Sequence, residues 1–168
     1  MPSLSYASTA PLSTDAAGAP MRLIPSYPAV VTVRASTDFN TSAGTTTTSD
    51  VVNQGAAGAI IGIDVSSVTA SSAGGGTGGM THTLQWKDPI GGTYVGTTCA
   101  VVATTAAALY MLQVIPGSTT VAATSALPGR YDLALPSRWR FSSTSSSSAT
   151  NWTYSISCTY LPVSGTSS

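Results

Sequence analysis

The sequence predicts an all-β protein: an antiparallel β-sandwich of about eight strands, Ig-like or jelly-roll-like, preceded by an extended N-terminal arm. Three observations lead there. Apolar and polar residues alternate with period two over many short runs. Those runs are rich in Val, Ile, Thr and aromatic residues. Gly, Pro, Ser and Asn bound them at close spacing. A length of 168 residues favours one domain with its own core. The organisation reads as an arm over 1–28, a β domain over 29–162 and a short tail over 163–168.

The arm comes first. Pro2, Pro11, Pro20, Pro25 and Pro28 oppose helix and favour extended backbone. Leu4, Tyr6, Leu12, Met21, Leu23, Ile24 and Tyr27 are apolar anchors among small polar residues. A solvated tail is the plain reading. The functional one is an arm laid over a neighbouring subunit, its anchors set into grooves.

The strands follow. "AVVTVRAS" (29–36) turns Val31 and Val33 one way and Val30, Thr32 and Arg34 the other. "GAIIGIDVSSVT" (58–69) puts Ile61, Ile63 and Val65 on one face, and "THTLQWK" (81–87) does the same with His82, Leu84 and Trp86. "DPIGGTY" (88–94) is a turn by its chemistry. "TTAAALYMLQV" (104–114) has helical propensity. The strand rhythm around it and the "IPG" stop favour strand. In "SRWRFSST" Trp139 and Phe141 share one face, Arg138 and Arg140 the other. In "NWTYSISCTYL" Trp152, Tyr154, Ile156, Cys158 and Tyr160 line one face. The serine run between these two strands reads as a hairpin loop, with the flanking aromatics as cross-strand core partners. Arg138 and Arg140 then mark a polar face open to solvent or a partner.

Composition narrows the function. Only 7% of residues are charged, the net charge is zero, and six basic residues face six aspartates with no glutamate. No basic stripe exists for nucleic acid or an acidic membrane, so neither is an expected partner. The chain is 42% hydrophobic with positive mean hydropathy, which argues for folding rather than disorder. A neutral Ser/Thr-rich surface has little charge to keep copies apart, which suits life in an assembly. The N-terminus lacks the pattern of a secretory signal, and no apolar run reaches the ~20 residues of a membrane span. Cys99 and Cys158 sit in apolar strand-like runs. They read as buried thiols, with a disulfide as the alternative.

Catalytic chemistry finds little footing. His82 is the one histidine and falls on an apolar face, where a core role is expected. No G-x-S-x-G elbow occurs. Two facing carboxylates, as a glycosidase needs, have no support in the pattern. "SSAGGGTGGM" (71–80) lacks the Lys-Ser/Thr of a phosphate loop and reads as a β–β loop. Asp and Asn in "DFN" (38–40) and "SDVVNQG" (49–55) read as turn residues rather than calcium ligands. The expectation is a non-enzyme with no cofactor and no metal. Binding remains, through aromatic and arginine side chains that suit protein contacts or sugars.

The ordered motifs carry a resemblance. Asn53, Gly55 and Gly58 enter a strand that holds Asp64 and Val65. Asp88, Pro89, Gly92 and Tyr94 form the turn that follows. Then come Pro116 and Gly117, Leu135, Pro136, Trp139 and Arg140, and finally Tyr154 and Ser155. Over about residues 51–161 the chain resembles small β-sandwich virion proteins of tailed bacteriophages, most like a capsid decoration (cement) protein. The resemblance implies a structural protein on the outer capsid surface, made in the host cytoplasm. It would bridge major capsid subunits and stabilise the capsid, commonly as a homotrimer. By analogy, the arm would grip the capsid. The alternative is a minor tail or fibre-associated protein binding host-surface carbohydrate, with Trp86, Trp139 or Trp152 exposed in a groove. The family has no catalytic residues to carry over.

Overall fold

A computed structural model describes residues 30–40, 44–53, 55–70, 79–96, 101–146 and 150–161. The anchors Leu4, Tyr6, Leu12, Met21, Leu23, Ile24 and Tyr27, the segment 71–78, Cys99 and the tail lie outside these residues.

Among the described residues the chain is all β, with eleven strands and no helix. Five strands form one sheet: β1 (Val31–Asn40), β11 (Thr150–Leu161), β4 (Gly58–Ala70), β8 (Ala108–Val114) and β9 (Gly129–Tyr131), in that order. Only β8 and β9 run parallel. The second sheet orders β2 (Thr45–Thr47), β10 (Arg138–Ser145), β5 (Met80–Lys87) and β6 (Tyr94–Val95). There β3 (Val51–Val52) joins β2 along β10, and β7 (Val101–Thr104) joins β6 along β5.

The two sheets face each other as a β-sandwich, and the alternating side chains make the core. Ile61, Ile63 and Val65 of β4 point inward with Leu112 of β8 and Trp152, Tyr154, Ile156 and Cys158 of β11. Met80, His82 and Leu84 of β5 and Trp139 and Phe141 of β10 meet them from the opposite sheet. The run 104–114 contains a strand, β8, and no helix.

Three sequence expectations change. The serine run does not make a hairpin. β10 and β11 belong to different sheets, so the chain passes from one layer to the other between Ser145 and Thr150. Their aromatic residues meet across the core, because period two reports a shared face and not a shared ladder. Arg34 is not turned away from the interior. Register shifts in β1 on either side of Arg34 reverse the alternation. Its guanidinium carbon lies 4.5 Å from the centroid of the buried Tyr154 ring, and its Nε is buried without a hydrogen-bond partner. The count also exceeds eight, because β2, β3, β6 and β9 are only two or three residues long. Such pieces show no periodicity.

The sandwich has two dissimilar ends. β1 finishes at Asn40 opposite Asn151, Ala70 pairs with Thr150, and Ser146 N–H donates to Gly79 O at 2.9 Å. Asn40, Gly44, Ala70, Gly79, Ser146 and Thr150 therefore gather at one end, and the sequence between them is rich in Ser, Thr or Gly. The other end holds residues 53–57, the turn 88–93 and the approach to β10.

Candidate partner-contact site

β5 and β10 bring the predicted arginines to the outer face of the second sheet. Arg140 lies opposite Gln85 in the ladder, and its Nε–H donates to Gln85 Oε1 at 2.8 Å. Arg140 is not a free surface cation. Its guanidinium carbon sits 3.4 Å from the centroid of the Tyr94 ring. Lys87 approaches the same ring, with Nζ 5.1 Å from its centroid. The Tyr94 hydroxyl donates to Asp50 Oδ1, and Lys87 Nζ donates to Asp50 Oδ2 at 3.0 Å. The Tyr94 hydrogen bond, seconded by Lys87, holds the Asp50 carboxyl below its ordinary range. The bond to Asp50 in turn raises the Lys87 ammonium. These contacts fix the platform within the fold.

Arg138 differs from Arg140. It is exposed, and its side chain makes no hydrogen bond or ion pair among the described residues, though its charge helps to lower the Asp50 carboxyl. It borders an open cleft of about 470 Å³ between the turn 88–92 and the β3–β10 edge. The turn is a hairpin loop, since Lys87 pairs with Tyr94 and Trp86 with Val95. Asp88 caps it: its two carboxylate oxygens accept from Ile90 N–H at 3.1 Å and Gly91 N–H at 2.9 Å. Gly92 closes it at φ 69°, a conformation that favours glycine. Ile90 is left 97% exposed at the tip.

Asn53 secures the cleft floor. Its Nδ2 donates to Ala56 O and Leu135 O, both at 3.0 Å. Its Oδ1 accepts from Gly55 N–H at 3.1 Å and Ala56 N–H at 2.7 Å. Asn53 and Asp50 thus serve structural bonds. No cluster of three or more His, Cys or acidic side chains stands among the described residues.

His82 is a core histidine, as its position in the alternation predicts. It is fully buried between Ser143 and Thr104 and stands edge-on to Tyr154, ring centroids 5.0 Å apart. Thr104 spends its hydroxyl proton on Met80 O, so its oxygen accepts from His82 Nε2–H at 3.3 Å. His82 Nδ1 then accepts from the Ser143 hydroxyl at 2.9 Å. Burial, with Arg34 as a smaller cause, lowers the imidazole pKa to about 4. Cys158 is a buried free thiol, pushed up to about 12 by desolvation.

The three tryptophans named for sugar binding differ in exposure. Trp139 and Trp152 are fully buried, and only Trp86 reaches the surface, at 37% exposure. Sequence reasoning placed Arg138 and Arg140 on one polar face, and they lie there. It missed Tyr94, Lys87, Asp50 and Ile90. The hairpin turn it did find carries Lys87 and Tyr94 on its two stems, which was the available signal. Compared with family models, curated proteins and solved structures, the chain matches none.

Proposed function

We propose that the chain is a structural virion protein of a tailed phage that decorates the outer capsid by bridging major capsid subunits. The observation that carries this reading is the strand order, which we take as that of a jelly roll. β2 and β3 share the edge of β10, and β6 and β7 share the edge of β5, so each couple counts as one interrupted strand. Setting aside the short parallel β9, the strands occupy eight successive positions, B to I. One sheet then reads B-I-D-G and the other C-H-E-F. That architecture is frequent in virus capsids and in lectins, so by itself it is an analogy and the site must choose.

The site favours protein contact. Its outer face presents an ordered Arg–Tyr–Lys–Asp platform beside an exposed Ile90, and Arg and Tyr are residue types that make contact hot spots. Two of the three tryptophans that a lectin would display are in the core. The neutral surface also suits many weak contacts repeated by capsid symmetry, where avidity supplies durability. A homotrimer would repeat the platform threefold. The motif resemblance over about residues 51–161 supports the same assignment.

The test is co-sedimentation of the full chain with mature capsids, counting bound copies per capsid. Saturation at a multiple of the threefold or hexamer positions is the expected result. Absence of head binding would move the protein to the tail, where glycan binding through the surface near Trp86 becomes the question.

A further inference from the structure

The cleft at the turn end is chemically one-sided. Its apolar wall is Val52, 53% exposed, with Pro89 and the nearly fully exposed Ile90. Its polar rim is Ser137 and Arg138, both exposed. The charged groups nearby differ in what they meet. Lys87 is neutralised by Asp50, and the Asp88 carboxylate is turned into its own loop. Asn53 uses both ends of its amide on backbone groups. Arg138 makes no ion pair among the described residues, although its charge also acts on Asp50, and it stands next to the Ser137 hydroxyl; the Asp88 carboxylate lines the same cleft without a cation partner.

We propose that this cleft binds an acidic peptide segment of a partner protein, with a carboxylate on Arg138 and an adjacent apolar side chain between Val52 and Ile90. The proposal deepens the partner-contact reading and rests on it. The guanidinium selects the acid: its planar fork matches a carboxylate and makes no ion pair among the described residues. The aliphatic wall selects a peptide over a sugar, because no aromatic ring lines the cleft to stack on a pyranose face. A single free arginine on a chain of zero net charge does not suit a polyphosphate backbone. The volume accommodates a few side chains, the scale of one extended peptide stretch.

The probe is an end-capped peptide of alternating Leu and Asp, with its Asn-for-Asp counterpart as control. Each is titrated into the isotope-labelled full chain and followed by amide chemical shifts. Saturable shifts at Ile90, Gly91, Ser137 and Arg138 are expected for the acidic peptide. Both the Asn peptide and Arg138→Gln are expected to weaken binding about tenfold or more, as loss of a charge-assisted pair does. Arg138 is exposed, so this variant keeps its fold, which its spectrum checks directly. Equal binding of the two peptides, shifts confined elsewhere, or no shifts at millimolar peptide would overturn the proposal. So would glucuronic acid shifting the same amides while the peptide is silent. The capsid assay separates the two readings. Capsid binding that survives Arg138→Gln sinks the cleft and leaves decoration standing. Peptide binding without capsid binding sinks decoration and leaves the cleft.

Discussion

The two ends of the sandwich solve the same problem with different chemistry. At the cleft end, loops are held by side chains with assigned partners: Asn53 on four backbone groups, Asp88 on two amides, Tyr160 Oη on Val52 O at 3.3 Å. The core beneath it is Trp139 with Leu135 and Ala56. At the serine end, the described bonds are between small hydroxyls and backbone, such as Ser146 Oγ to Gly79 O and Thr45 Oγ1 with Thr144 Oγ1, both at 2.9 Å. The core beneath that end sets polar groups among Met80 and Trp152: His82, Ser143 and Thr104, with Arg34 over Tyr154. A recognition surface needs fixed geometry, and the proposed cleft lies where side chains hold the loops in place.

The sharpest way to break the cleft end is Gly58→Ala. A Cβ there would stand 2.4 Å from Val114 O, a backbone atom that cannot swing aside. A loss of about 3 kcal/mol is expected, read as a drop in the urea midpoint. A loss under 1 kcal/mol would mean that the strand start yields more easily than its contacts imply.

The serine end has its own weak point, proton uptake by His82. The unfolded ring takes a proton below its ordinary 6.5, whereas the folded ring resists until about 4. Stability is therefore flat above neutral pH and falls as pH drops through that interval, by about 3 kcal/mol at most. Arg34 adds to the resistance, while Ser143, Thr104 and Tyr154 are the other groups facing the ring. Denaturant curves at stepped pH measure the slope. His82→Gln is expected to flatten this part of it, and a slope unchanged in the variant would assign the effect to the aspartates.

Asn53→Ala tests whether one side chain organises the cleft floor. Its partners at Ala56 O and Leu135 O are part-buried, and leaving them unmet is expected to cost about 2 kcal/mol. Amide exchange at Gly55 and Ala56 should accelerate together. The smallest effect belongs to the serine end: Thr144→Ala removes one exposed hydroxyl pair and should shift stability by under about 0.5 kcal/mol. A Thr144 effect as large as the Asn53 one would erase the contrast between the ends.

The same contrast marks how far the sequence could be read. Faces were legible, because burial on one side imposes alternation: Ile61, Ile63 and Val65, then Trp152 through Tyr160, all point inward as the period demands. Partners were not. Nothing in "RWRFSST" states that it pairs with β5 rather than with β11, since both choices bury the same residues. Arg34 was misassigned because register shifts within β1 cannot be seen in a period-two pattern. At the site, Arg138 and Arg140 were visible as a pair on one strand. Tyr94 joins Arg140 only through the turn hairpin, and Asp50 only through the docking of β3 on β10.

The pairing of β1 with β11 shapes how the protein is made. A ribosome adding roughly ten residues a second releases the first strand on the order of ten seconds before the last. Throughout that interval β11, the strand that β1 pairs with among the described residues, does not yet exist. The charge at Arg34 makes β1 a poor template for another nascent chain in the meantime. One arginine thus protects the first strand during synthesis, before the last strand arrives to claim it.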